Sequence, residues 1–465
     1  MKAGNQILGI RQSRRKFLQM SAFLGSSALL VACSPAAAPA PSGEGAEESA
    51  MESTTISWWN GFSTESVQQV APQIVADFES LNEGIKVEFE LSGGPPGGGQ
   101  LMEVLLSRIA AGNPPDSVTI WSAPSEFGAQ GALVELDDMM AQATHATADA
   151  FFDGPLNSCR WDGKIYGLPA SAGAGSVFIN TDMFEEKGIS ISRDDFPVTW
   201  DELKALSAEF VEYDGANLVT GGFVPWADSW LKPVWSGLNG GLLFDAEGNQ
   251  YLIDSDENVQ WMEYMVQWLD EQYQGDIEAL NVAGNWGSVY PDSVFHQGRT
   301  PMASSGSWAC TDVDFPFGWE IAKFPVGPSG SASVTGFWPN WWALPKGTGH
   351  PQEAFLFSEY FCTEGWITWY KVIFDTPAWR GFPEGVVTQK LIDTQGDERA
   401  QEIHNWYADY LNSTVDMWNS PVEAFASDTL DTTISEILHK TKSPAEALSE
   451  AQARIQSHLE ETMKG

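Results

Sequence analysis

Thr55-Ile56-Ser57-Trp58-Trp59-Asn60-Gly61 begins a run of alternating elements that points to the fold class. Its β-branched and aromatic residues suit a short strand, and the Asn-Gly pair ends it. Val67, Val70, Ile74, Val75 and Phe78 follow at three- and four-residue spacing, which puts them on one face of a helix. Ile85 to Leu91 alternates apolar with charged side chains as a second strand, Leu101 to Ala110 reads as a second helix, and Ser117 to Trp121 as a third strand. Strand, helix, strand, helix, strand in this order predicts an α/β sheet with ligands at the carboxyl ends of its strands. Trp58-Trp59-Asn60-Gly61 and Trp121-Ser122 stand at two of those ends.

Toward the amino terminus, residues 1–32 hold Lys2, Arg11, Arg14, Arg15 and Lys16, no acid, and an apolar run from Phe17 to Ala32. This is the pattern of a signal peptide, and the run is shorter than the ~20 residues a spanning helix needs. Ser13-Arg14-Arg15-Lys16-Phe17-Leu18 resembles the twin-arginine export motif, and Leu30-Val31-Ala32-Cys33 resembles a bacterial lipobox. Together they imply export, acylation of Cys33 and anchoring to the outer face of the cytoplasmic membrane. Residues 33–53, rich in Ala, Pro, Ser, Gly and Glu without apolar periodicity, read as a flexible tether.

Toward the carboxyl terminus, Lys164 to Leu168 and Ser176 to Asn180 read as strands. Trp200 to Tyr213, Val259 to Leu269, Pro351 to Tyr370, Thr432 to His439 and Pro444 to Met463 read as helices, with Pro444 in a first turn. The 465 residues suffice for two to three domains. Lys+Arg is 24 against Asp+Glu 63, a net charge of −39, and such a surface repels phosphate backbones, so nucleic acid is excluded as a partner. A hydrophobic share of 43% with 12% aromatics demands a folded core under that charge. If Cys33 is acylated, Cys159, Cys310 and Cys362 allow at most one disulfide.

Catalytic motifs are missing. The six His form no H-E-x-x-H, there is no G-x-S-x-G elbow, and Gly93-Gly94-Pro95-Pro96-Gly97-Gly98-Gly99 lacks the Lys-Ser/Thr that would make it a phosphate cradle. Asp245-Ala246-Glu247-Gly248-Asn249 lacks the twelfth-position Glu of a calcium loop and reads as a hairpin turn. No metal site, cofactor or catalytic residue is therefore assigned. The 21 Trp exceed what a core needs, and Trp58, Trp59, Trp121, Trp308 and Trp338 sit where elements end. Sugar rings present apolar C–H faces and polar edges, so a site for them wants flat aromatic platforms beside carboxamides and carboxylates.

Three passages carry a family resemblance. The first is Asp162-Gly163-Lys164-Ile165-Tyr166-Gly167-Leu168-Pro169, continued by Phe178-Ile179-Asn180-Thr181-Asp182-Met183-Phe184 and Thr199-Trp200-Asp201-Glu202-Leu203. The second is Phe295-His296-Gln297-Gly298-Arg299-Thr300-Pro301-Met302, running into Gly306-Ser307-Trp308. The third is Trp342-Ala343-Leu344-Pro345-Lys346-Gly347 with His350-Pro351-Gln352-Glu353-Ala354. From residue 54 to 465 the chain resembles the extracellular solute-binding proteins of ABC importers, in the carbohydrate-binding, maltose-binding-protein-like family.

That resemblance implies a two-lobed periplasmic-binding-protein fold of class α/β, with discontinuous lobes joined by crossover strands at a hinge. The N-terminal lobe is expected at 54–170 and 334–376 and the C-terminal lobe at 171–333 and 377–465, with crossovers near Ala170–Gly175, Ser329–Val334 and Asp375–Arg380. It maps ligand contacts onto Asn60, Trp121, Ser122, Ser171, Gly173, Asp228, Trp230, Trp308, Trp338 and Trp379. Gly173 stands where the maltose binder has a carboxylate and Ser427 where it has a stacking indole, which argues against maltose itself. The implied function is a monomeric, non-enzymatic lipoprotein that captures a mono- or oligosaccharide by hinge closure and delivers it to permease subunits. A cationic amine as ligand, and a secreted carbohydrate-active enzyme, are the alternatives.

Overall fold

The computed structural model describes residues 53–61, 64–90, 99–415, 417 and 419–464. The segment read as a signal peptide, Cys33, all of the expected tether but Ser53, and most of the Gly93–Gly99 loop lie outside these residues. Among the described residues, no helix is long and apolar enough to cross a membrane.

Strand Thr54–Trp59 pairs in parallel with Ile85–Glu90 on one side and Ser117–Ile120 on the other, and the helix between the first two, Glu65–Leu81, buries Val67, Val70, Ile74, Val75 and Phe78. Thr64 caps that helix by accepting from the Val67 amide at 3.4 Å. Two later segments complete a five-stranded sheet: Trp341–Ala343 runs antiparallel to Ser117–Ile120, and Leu168–Pro169 lies at the far edge. The first core packs Trp58, Trp342, Trp366 and Trp369 around Phe361, with Trp366 and Trp369 stacked at 4.9 Å.

A second sheet is built on Gly173–Asn180, buried along its whole length between the antiparallel strands Met302–Gly306 and Trp319–Ala322. Its core holds Trp200, Trp235 and Trp268, and the C-terminal helices Glu423–Leu438 and Pro444–Thr462 pack against it. The connecting segments lie side by side. The Ala172 amide donates to the Thr376 carbonyl at 2.6 Å, the Ala378 amide to the Ala170 carbonyl at 3.0 Å, and the Ala170 amide to the Asn340 carbonyl at 2.9 Å. The second crossover falls later than expected. Phe337–Trp338 still pairs with Ala174 and Gly173 of the second sheet, so the chain returns at Pro339–Asn340 and not near Val334. Trp379 bridges Phe151 and the Arg380 amide donates to Ala150, so the chain stays with the first lobe past residue 376.

Two helices are shorter than their periodicity suggests. Trp200–Ala208 opens on a capping box of Thr199 and Glu202, then ends where Gly222 passes close to the Ser207 backbone and the Phe223 amide donates to Ser207 Oγ at 2.8 Å. Pro351–Tyr370 is two helices, broken at Thr363 with φ −123° and ψ −97°. Asp245 to Asn249 is the turn of a hairpin, with Asn249 at φ +49°. Cys159, Cys310 and Cys362 are buried free thiols.

Candidate functional site

A cavity of about 410 Å³ lies where the two sheets meet at the hinge, within the ~300–1,000 Å³ usual for small-ligand sites. Six indoles wall it: Trp121, Trp230, Trp308, Trp338, Trp341 and Trp369. Each is placed by an element end. Trp121 follows strand Ser117–Ile120, Trp308 follows Met302–Gly306, Trp338 ends the short strand paired with Gly173, and Trp230 lies in the single turn Ser229–Leu231. Trp230 meets Trp338 edge to face at 4.5 Å and 82°, and stands 6.0 Å from Trp308. The rings thus lie tilted or edge to face, as aromatic pairs prefer.

The polar groups converge through Asn340. Its side-chain oxygen accepts from Trp121 Nε1 at 2.9 Å, while its Nδ2 donates to Asp375 Oδ2 at 2.8 Å and to Ser171 Oγ at 3.2 Å. Trp121, 43% exposed, is thereby tied to the hinge. Burial pushes Asp375 up to about 7 against the hydrogen bonds from Ser171 and Asn340 that favour its charge. Asp312 faces the same cavity, with Oδ2 accepting from the Tyr290 hydroxyl at 3.2 Å.

The cavity does not stop there. A second compartment of about 230 Å³ shares Trp121, Trp230, Trp338 and Trp341 with it and adds Ser122, Ser427 and Glu423. A wider hollow of about 1080 Å³ shares Phe337, Met417 and Asn419 with the second compartment and runs on to Trp161 and Asp245. The three form one groove along the boundary between the sheets. Glu126, from the turn of helix Pro124–Ala129, crosses this boundary and accepts from the Ala424 amide at 3.2 Å. Burial pushes Glu126 up to about 8.

Of the residues chosen from sequence, Trp121, Trp230, Trp308 and Trp338 line the first compartment and Ser122 the second. The others fall behind this wall. Asp228 is buried, accepts from Trp230 Nε1 at 3.3 Å and is pushed up to about 7 by burial, so it orients an indole. Ser171 accepts from the Asn340 amide at 3.0 Å. Gly173 does not lie open to a ligand: a Cβ there would sit 2.8 Å from Asp375 Oδ1 and 2.9 Å from the Trp308 ring, so its smallness admits that indole. Asn60 is fully buried at the end of its strand. Trp379 packs edge-on against His145 at 6.1 Å, on the first core and outside the described cavity wall. Asn340, Asp312, Trp341 and Trp369 escaped the sequence reading; Trp341 had a signal in its place beside Trp342 of the third quoted passage, and the others stand in no motif.

Residues 63–366 match the family described as bacterial extracellular solute-binding protein. The chain belongs to this family. An uncharacterised ABC transporter extracellular-binding protein of Pyrococcus horikoshii is 26% identical over 318 residues, 66% of this chain and 67% of its own. The arabinooligosaccharide-binding protein of Halalkalibacterium halodurans is 21% identical over 435 residues, 88% of this chain and 86% of its own. The solved structure of CpMnBP1 with mannotriose bound aligns with a TM-score of 0.72 and 21% identity, over 86% of this chain and 99% of that one. The two-lobed architecture of this solute-binding protein is thus shared with proteins distant in sequence.

Proposed function

We propose that this solute-binding protein captures an oligosaccharide in the groove between its lobes and hands it to the permease of an ABC importer. The observation that carries the reading is the cavity walled by six indoles and continuous with two further compartments. Flat indoles match the C–H faces of pyranose rings, Asn340, Asp312 and Ser122 match their hydroxyl edges, and the length of the groove suits more than one ring. The relative named for arabinooligosaccharides and the mannotriose-bound neighbour support the same ligand class. Trp121, Ser122, Trp230, Trp308 and Trp338 are the proposed contacts, with Asp228, Ser171 and Gly173 holding them in place. Export by the twin-arginine route and anchoring through an acylated Cys33 complete the proposal, the tether letting the body reach the permease.

A thermal-shift screen of the purified protein against neutral and amino-sugar oligosaccharides tests the reading. A ligand at 100 times its Kd adds about 2.7 kcal/mol to the folded state. Trp308→Ala should then weaken binding of the best hit by about 1–3 kcal/mol. Absence of any sugar-induced shift would overturn the proposal.

A further inference from the structure

We infer that the groove is built for a sugar carrying a protonated amino group, an inference that rests on the oligosaccharide reading and narrows it. The only ionisable acids or bases among the described residues lining the first compartment, tyrosine aside, are Asp312 and Asp375; no Lys, Arg or His joins them. Each has one satisfied oxygen, accepting from Tyr290 or Asn340, and one buried oxygen, Oδ1, that accepts no hydrogen bond from the protein. Asp375 is only 3% exposed. A buried carboxylate oxygen left without a donor is costly, and ligand donors relieve that cost. A sugar hydroxyl supplies one donor without charge. An ammonium supplies three and offsets the carboxylate charge as well.

The rest of the wall points the same way. Indole faces attract cations within about 6 Å of the ring centre, most strongly where water is excluded. Among the described residues of the second compartment, Lys232 is already paired with Asp431 at 2.6 Å and Asp428 adds an acid, while burial favours the neutral form of Glu423. The third hollow brings Asp162, Asp245 and Glu247 against Arg160. Among the described residues that line the groove, acids thus outnumber bases, and the chain's net charge of −39 adds a long-range field that concentrates cations at its mouth.

Calorimetry on the full protein at pH 7 decides the matter with four probes: a trisaccharide of 2-amino-2-deoxyglucose, its N-acetylated counterpart, mannotriose and spermidine. The free-amine sugar is expected to bind at least tenfold more tightly than the N-acetylated one. Asp312→Asn and Asp375→Asn, made separately so that a folding defect in one leaves the other informative, should each narrow that ratio to less than threefold. Equal or tighter binding of the N-acetylated sugar or of mannotriose overturns the amine inference and leaves the oligosaccharide reading intact. Tight binding of spermidine with no sugar bound overturns both.

Discussion

Gly173→Ala is the most direct test of how the platform is built. The glycine opens the buried strand Gly173–Asn180 and pairs with Trp338. A methyl group there would lie 2.8 Å from Asp375 Oδ1, and 2.9 and 3.0 Å from two carbons of the Trp308 ring. Ordinary contact needs about 3.5–4.0 Å, so the indole, the carboxylate or the strand must move by most of an ångström. Overpacking of this kind costs about 1–3 kcal/mol, and if the lobe melts as a unit of ordinary domain size the midpoint should drop by about 2–4 °C per kcal/mol. Because the displaced ring is one of the six that wall the cavity, affinity should fall at least tenfold along with stability. A double-mutant cycle sharpens the result: with Trp308 already replaced by Ala, the added cost of Gly173→Ala should shrink by about 0.5–3 kcal/mol. The assay is thermal melting with calorimetric titration of the best ligand on all four proteins. Full additivity of the two substitutions, or a Gly173→Ala protein with unchanged affinity, would refute the claim that the glycine makes room for the indole.

Cys33→Ser should leave the folded protein exported but released from membranes, and its retention in the membrane fraction would reject the lipoprotein reading. Ligand contacts on both lobes favour a closed form only through differential affinity, so X-ray scattering should show a smaller radius of gyration at saturating sugar; an unchanged radius rejects hinge closure as the loaded signal. Glu126 rises from 4.5 to about 8 on folding through burial, so the unfolded chain loses this proton first. Its contribution to stability is therefore fully present below about pH 4.5 and is lost as pH rises toward 8. Glu126→Gln should flatten urea-unfolding free energy against pH across that window, and an unaltered profile would show that the carboxyl is not buried as described.

Much of the architecture is written locally. The alternation that opens at Ile85, the apolar spacing from Val67 to Phe78 and the Thr199-Glu202 capping pair each need only near neighbours along the chain, and the structure holds the strand Ile85–Glu90, the helix Glu65–Leu81 and the capping box in their places. The four indoles of the cavity chosen from sequence were legible because they stand where elements stop, which is where an α/β sheet exposes side chains to ligands. Where the chain crosses between lobes was less legible, since Phe337–Trp338 joins the second sheet only through pairing with a strand more than 160 residues earlier.

Element order, aromatic wealth and net acidity were legible in the sequence, because each depends on residue type and short-range spacing. The tertiary structure alone decided which indoles face the groove and which fill cores: Trp121 and Trp341 share one wall while Trp342, adjacent in sequence, is fully buried. It also decided that Asn340 joins Trp121 to Asp375, and that Gly173 serves Trp308 and not the ligand. The reason is physical. A side chain's solvent exposure and hydrogen-bond partners are set by whatever segment packs against it, and here those segments lie tens to hundreds of residues apart along the chain.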